Sequence, residues 1–173
     1  MLSKMNLKEF DEVFKIMDNS FPNTEMRTYE GQKKLLLENI YSIDVERNNE
    51  DKIIGFIAHW ELTDFSYIEH FAVEKNQRGN NIGAKMLNEF CKKQKRPVVL
   101  EVEYPEDDFS IRRIGFYERN NFTMNEHKYV QPPTREGNPF VPLKIMSIPR
   151  KITENEFKTL NNDLYNIVYK YKK

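Results

Sequence analysis

Between residues 41 and 73 the sequence keeps a period of two. YSIDVER (41–47), KIIGFIAHWE (52–61) and SYIEHFAV (66–73) are rich in β-branched and aromatic residues and are separated only by the short turns NNED and LTDF. Connections that short cannot carry a crossover, so the three strands are expected to pair as consecutive antiparallel hairpins.

Helical spacing precedes them. Leu7, Phe10, Phe14 and Met17 recur at helical intervals, Asn6 and Glu9 suit a capping pair, and Pro22 stops the element. A second helix follows Thr28 with Leu35, Leu36 and Ile40 inward. Beyond the third strand, EKNQRGNN (74–81) leads into a helix with Ile82, Met86, Leu87, Phe90 and Cys91 on one face. PVVLEVEY (97–104) reads as a buried central strand, and a helix with Ile111, Ile114, Phe116 and Tyr117 inward follows it. Extended pieces at about 122–130 and 140–148 flank QPPTREGNP, whose prolines and glycine forbid regular structure. The tail, TENEFKTLNNDLYNIVYKYKK, opens on a Thr153–Glu156 capping box and carries Phe157, Leu160, Leu164, Ile167 and Tyr171 as an apolar stripe. At 173 residues the chain suits one domain, expected over 1–148, with 149–173 an amphipathic helix packed on it or at a dimer interface. A monomer or a homodimer is expected, packing of the tail on its own domain being favoured over a dimer contact.

Composition removes several functions. Twenty-seven Lys and Arg balance twenty-seven Asp and Glu, so the positive field that draws nucleic acid is absent. No run reaches the roughly 18 apolar residues that span a bilayer, and the first residues lack a signal peptide's apolar core. We expect a cytoplasmic protein with no nucleic-acid or membrane partner. A single cysteine, Cys91, excludes an intramolecular disulfide, and His59, His70 and His127 are not at metal-ligand spacing, so no metal is expected.

The chemistry concentrates in VEKNQRGNNIGAKML (73–87), where a strand enters a short loop and the loop enters a helix. The first turn of a helix leaves about four N–H donors without partners and adds roughly half a positive charge, which suits a pyrophosphate. Arg78 would strengthen such a site. Gly79 and Gly83 allow close approach, and Asn80 or Asn81 can take a left-handed conformation. No Gly-Lys-Ser/Thr follows and no G-x-G-x-x-G is present, which sets aside nucleotide P-loops and dinucleotide folds.

These residues resemble the GNAT superfamily of acetyl-CoA-dependent N-acyltransferases. The family's loop reads Arg/Gln-x-x-Gly-x-Gly/Ala, and here Arg78-Gly79-Asn80-Asn81-Ile82-Gly83 follows a strand ending Phe71-Ala72-Val73, with Asn81 in place of glycine. FSIRRIGFYERNNF resembles the family's later Asn-x-x-Ala-x-x-x-Tyr-x-x-x-Gly-Phe helix. Tyr117 and Phe122 match it, while Ser110, Arg113 and Asn121 stand for Asn, Ala and Gly. The resemblance covers about residues 5 to 148. It implies an α/β fold of the α+β kind, a mixed, mostly antiparallel sheet splayed at its centre with helices on both faces, plus the C-terminal helix. It also implies acetyl-CoA as co-substrate, held by Phe71, Ala72, Val73, Arg78, Gly79, Asn80, Asn81, Ile82, Gly83, Ala84, Ser110 and Tyr117. Unpaired main-chain groups of Phe71 and Val73 would bind the pantetheine arm.

The implied reaction is acetyl transfer to a primary amine of a small molecule by direct attack in a ternary complex. A base must free the amine, whose pKa lies near 10. Glu69 is the first candidate, because it shares a strand face with Phe71, with a pKa raised toward neutrality beside an apolar cleft; Glu101 and Glu103 are its reserves. His70 alternates to the other face as a packed or hydrogen-bonded histidine. Tyr117 is the expected acid for the departing thiolate, and Cys91 has no histidine partner to make it a nucleophile. Phe21, Glu25, Arg27, Tyr29, Glu101, Glu103 and Tyr129 are candidates for holding the acceptor. The departures at Asn81, Ser110 and Arg113 keep a second reading open, a catalytically inactive CoA-binding module acting as a sensor or partner-binding protein.

Overall fold

The computed structural model describes residues 1–171; Lys172 and Lys173, the last positions of the expected tail helix, lie outside the described residues. The chain forms two compact units, Met1–Trp60 with Ile68–Lys93, and Glu61–Tyr67 with Gln94 onward.

The first unit holds the strands β1 (Ser3–Lys4) and β2 (Tyr41–Arg47), β3 (Ile53–Glu61) as far as Trp60 and β4 (Ser66–Val73) from Ile68 onward, which follow one another in the sheet. Strand β2 runs antiparallel to β1 and to β3, with Tyr41 opposite Trp60 and Val45 opposite Phe56. Every residue of β3 but Glu61 is buried, so both faces of this strand are covered. The hairpin reading of 41–61 holds. Helix α1 (Phe10–Asp18) follows a single 3-10 turn, Leu7–Glu9, which Asn6 and Glu9 cap reciprocally. Because that turn is wound tighter than an α-helix, Leu7 leaves the apolar stripe and is 69% exposed, against expectation. The stripe is Phe10, Val13, Ile16 and Met17. Helix α2 (Tyr29–Lys34) starts where Thr28 accepts the Gly31 N–H at 3.1 Å. Helix α3 (Ile82–Lys93) buries Met86, Leu87 and Phe90. It packs closely at Gly55 of β3, where a Cβ would lie 2.9 Å from both the Ala72 carbonyl oxygen and Met86 Sδ.

In the second unit the Ser66 N–H, at the start of β4, donates to the Pro97 carbonyl at 3.0 Å. Strand β5 (Val98–Val102) pairs antiparallel with β8 (Val141–Ile148), Val98 opposite Ile148. Strands β6 (Thr123–Met124) and β7 (Tyr129–Gln131) also pair with β8. The extended piece expected over 122–130 is therefore two short strands. Asn125 divides them: its side chain donates to Ser147 Oγ at 2.8 Å and accepts from the Ile152 N–H at 2.9 Å, turning the chain to satisfy a buried amide. Helix α4 (Asp108–Arg119) begins at an Asp107–Ser110 capping box that turns Ser110 inward. Its buried stripe is Ser110, Ile114 and Tyr117, which leaves Ile111 52% exposed where sequence reading put it inward.

Helix α5 (Glu154–Asp163) opens on the expected Thr153–Glu156 box. Leu160, Leu164 and Val168 are buried, and Asp163 accepts the Thr63 N–H at 3.2 Å, so the tail packs on its own chain. Fully burying an aliphatic side chain of this size contributes about 1.5–3 kcal/mol. Past Asp163 the helix widens into a π turn, Leu164–Val168, closed by the Tyr169 N–H on the Leu164 carbonyl at 2.9 Å. The described residues form the mixed α/β architecture expected, with eight strands and five helices among them.

Candidate active site

After β4, a 3-10 turn at Lys75–Gln77 leads to the exposed corner Arg78–Asn81, and α3 begins at Ile82. Gly79 has φ 88° and Asn81 φ 59°. Of the two asparagines able to take the left-handed conformation, Asn81 does so, standing in for glycine. A Cβ built on Gly79 meets nothing within 4 Å, so glycine is needed here for conformation and the corner is open. The Asn81 carbonyl accepts the Lys85 N–H at 3.1 Å. The N–H groups of Ile82, Gly83 and Ala84 precede that bond and have no carbonyl one helical turn back within α3. An open corner, main-chain donors and an exposed arginine fit the diphosphate of coenzyme A. One detail departs from expectation: the Val73 carbonyl is not unpaired, because Arg78 folds back and donates Nε to it at 3.0 Å. This bond ties the loop to the strand end and leaves the carbonyl's second lone pair.

The surroundings of Glu69 are polar and charged rather than apolar. Its side chain is 3% exposed and ion-paired with Arg27, and it accepts Trp60 Nε1 at 3.0 Å. Burial alone would raise its carboxyl, but the Arg27 guanidinium, then His70 and the Trp60 N–H, hold it below its ordinary value. A pKa raised toward neutrality is therefore corrected. His70 is buried as expected, with Nε2 3.2 Å from the Glu25 carbonyl and its ring edge-on to Phe21 at 4.8 Å. Burial lowers its pKa. Phe21, Glu25, Arg27, Glu69 and His70 thus come together. Tyr29 is engaged elsewhere: it donates to Asp11, and its ring lies 5.0 Å from that of Phe14.

In the second unit Glu101 has a different environment. Tyr129 donates to its Oε1, while Gln131 Nε2 and Tyr169 Oη donate to Oε2 at 2.7 and 2.8 Å. None of these partners is a cation. Burial raises the Glu101 carboxyl above its ordinary value, outweighing the donated hydrogen bonds of Tyr129, Tyr169, Gln131 and Tyr67. Tyr129 is likewise pushed well up, by burial first and then by Glu101. Sequence reasoning named Glu101 and Tyr129 but missed Gln131 and Tyr169. Tyr169 falls off the tail's apolar stripe, and nothing local marks it.

The other reserve, Glu103, is held by Arg113 at 2.6 Å, whose guanidinium also sits 4.6 Å from the Phe109 ring centroid. Ser110 Oγ donates to the Asp107 carbonyl at 3.0 Å, so this residue completes the helix cap. Asn121, again where the family has glycine, takes φ 67°. Each departure from the family pattern thus has a local structural use. Tyr117 is buried, and burial pushes its hydroxyl up to about 12. Burial likewise pushes the Cys91 thiol up to about 12, which makes it a poor nucleophile at neutral pH. Among the described residues no group of three or more His, Cys, Asp and Glu is placed to hold a metal, and no helix is long and apolar enough to cross a membrane.

Comparison with known proteins bears on the same segments. A family model described as an acetyltransferase (GNAT) domain matches residues 38–124. The chain is 28% identical over 157 residues, 88% of its length and 78% of the relative's, to a Bacillus subtilis (strain 168) protein provisionally named as an acetyltransferase, YjbC. A solved structure from Bacteroides thetaiotaomicron, provisionally an acetyltransferase of the GNAT family, superposes with a TM-score of 0.91 at 31% identity over 99% of both chains. A spermidine N-acetyltransferase variant, SpeG, from Vibrio cholerae gives a TM-score of 0.65 over 86% of this chain and 94% of its own. At 13% identity that likeness is one of fold.

Proposed function

We propose, from the premise that the chain belongs to the GNAT family of acetyltransferases, that it transfers the acetyl group of acetyl-CoA to a primary amine of a small molecule by direct attack. The observation that carries this is the left-handed Gly79–Asn81 corner opening onto the start of α3. It keeps the diphosphate-binding backbone of the family without the family's glycine. Acetyl-CoA supplies an activated thioester; this chain's residues must hold it, deprotonate the amine and protonate the sulfur.

Main-chain N–H groups of Ile82, Gly83 and Ala84, with Arg78, are assigned to the diphosphate. Glu101, rather than Glu69, is assigned as base. A base working near neutrality needs a pKa raised above the ordinary carboxylate range and an oxygen not committed to a cation. Glu101 meets both conditions, whereas Glu69 is bound to Arg27. Its carboxylate takes the ammonium proton, directly or through water. The rings of Tyr129 and Tyr169 around a carboxylate also favour a cationic acceptor. Tyr117, at about 12, is too weak an acid for full transfer to a thiolate and serves as a hydrogen-bond donor to it. Arg27, Glu69 and His70 fix the segment carrying Phe21 and Glu25, which stay assigned to the acceptor.

The test is thiol release from acetyl-CoA with a panel of primary amines, beside calorimetric titration of coenzyme A. Binding with amine-dependent turnover is expected. Absence of coenzyme A binding overturns the whole assignment, and binding without turnover on any amine overturns the catalytic part.

A further inference from the structure

We propose that Tyr169, delivered by the π turn at the end of the tail helix, is a positioning residue that holds Oε2 of Glu101 and makes the C-terminal turn part of the acid–base machinery. The inference rests on Glu101 being the base, and it reaches beyond residue 124, where the match to the family model ends.

The geometry around the hydroxyl is directional. Tyr169 Oη has one proton, and it goes to Glu101 Oε2 at 2.8 Å. Gln131 Nε2 can only donate, and it does so to Tyr169 Oη at 2.7 Å as well as to Glu101 Oε2 at 2.7 Å. Tyr67 Oη lies 3.0 Å from the same hydroxyl and gives its own single proton to Glu101. The Tyr169 hydroxyl thus accepts from Gln131 and has one direction left in which to give. The groups around Glu101 are Tyr67 at the start of β4, Tyr129 and Gln131 on β7, and Tyr165 and Tyr169 on the tail. Every direct partner donates, so every one favours the ionised carboxylate over the protonated one.

The π turn makes this reach possible. In a regular helix each N–H bonds four residues back; here Tyr169 bonds five back, to Leu164, which adds a residue to the turn. Leu164 and Val168 remain buried on the stripe while Tyr169 is carried round to β5 and β7. Isolated π turns in helices recur at functional sites, where the extra residue re-aims a side chain.

The test uses the full chain with a 13C label in the glutamate carboxyls. In Tyr169→Phe the Glu101 carboxyl should titrate about one pH unit higher than in the wild type, because one hydrogen bond to a charged group is lost. The acid limb of the pH–rate profile should rise by the same amount. Tyr165→Phe removes a tail hydroxyl that bonds the Val130 carbonyl at 2.7 Å, and it should move neither reading. Deleting the exposed Asn166 restores a four-residue turn and should reproduce the Tyr169→Phe shift in any protein that still melts cooperatively. An unchanged Glu101 titration in Tyr169→Phe overturns the proposal, as does an equal shift in Tyr165→Phe. A shifted carboxyl with an unmoved acid limb leaves Tyr169 holding Glu101 and overturns Glu101 as the base.

Discussion

Replacing each strand glutamate by glutamine should separate structure from chemistry, with opposite signs. Glu69→Gln leaves the Arg27 guanidinium, 12% exposed, without its counter-charge. Breaking a buried pair on one side costs about 3–5 kcal/mol. For a chain of this length 1 kcal/mol is about 2–4 °C in Tm, so a fall of at least about 6 °C is expected. Glu101→Gln should do the reverse. Its folded pKa lies above the unfolded one, so the fold binds more protons than the unfolded chain between those two values. Stability from this group is full below the unfolded value, about 4.3, and is lost as pH rises through the folded value. Removing the charge at pH 7.4 should therefore leave Tm unchanged or raised, while activity collapses. An alkyl amine of pKa about 10.4 is only about one part in a thousand free at pH 7.4, and a positioned base contributes about 100-fold to 10,000-fold. Glu101→Gln should lose at least about 100-fold in kcat at pH 7.4 and regain about tenfold per pH unit until the amine's own pKa. The assays are thiol release from acetyl-CoA between pH 6 and 10 and thermal melts at matched pH. A Glu101→Gln protein with the wild-type rate and profile would refute the reasoning, as would a Glu69→Gln protein that keeps its Tm and loses activity.

Three further outcomes are expected. Asn81→Val forces a β-branched residue to φ 59° and should raise the KM for acetyl-CoA several-fold, whereas Asn81→Gly should keep it near wild type, both read from initial rates. Tyr117→Phe should lower kcat about tenfold or more with coenzyme A affinity within about twofold, measured by steady-state kinetics and calorimetry; an unchanged kcat removes Tyr117 from the chemistry. Cys91→Ala should retain full activity, and the wild-type thiol should react slowly with iodoacetamide at pH 7.5, since burial holds its pKa near about 12.

What could be read from the sequence is what is local in it. The corner at Arg78–Gly83 and both terminal capping boxes are runs of four to six residues whose conformation follows from their own side chains, and they fold as expected. The hairpins over 41–61 were legible for the same reason, because turn length limits pairing. The environment of a carboxylate is not local. Glu69 meets Arg27 across 42 positions, and Glu101 meets Tyr169 across 68. Alternation says which face a glutamate takes, but not whether a guanidinium or a tyrosine waits there, so the opposite surroundings of these two carboxylates could not be read from similar strands. The π turn was illegible too, since the apolar spacing of the tail reads equally well as an uninterrupted helix.

Gly55 shows how far from the loop its geometry is set. Alanine at this position would press on a main-chain oxygen, which cannot swing aside as a long side chain can, and on the thioether of Met86. A single methyl group on β3 would therefore press α3 away from the strand at Met86, one turn into the helix. The proposed coenzyme A site should therefore be sensitive to substitution in the floor beneath the helix as well as in the loop itself.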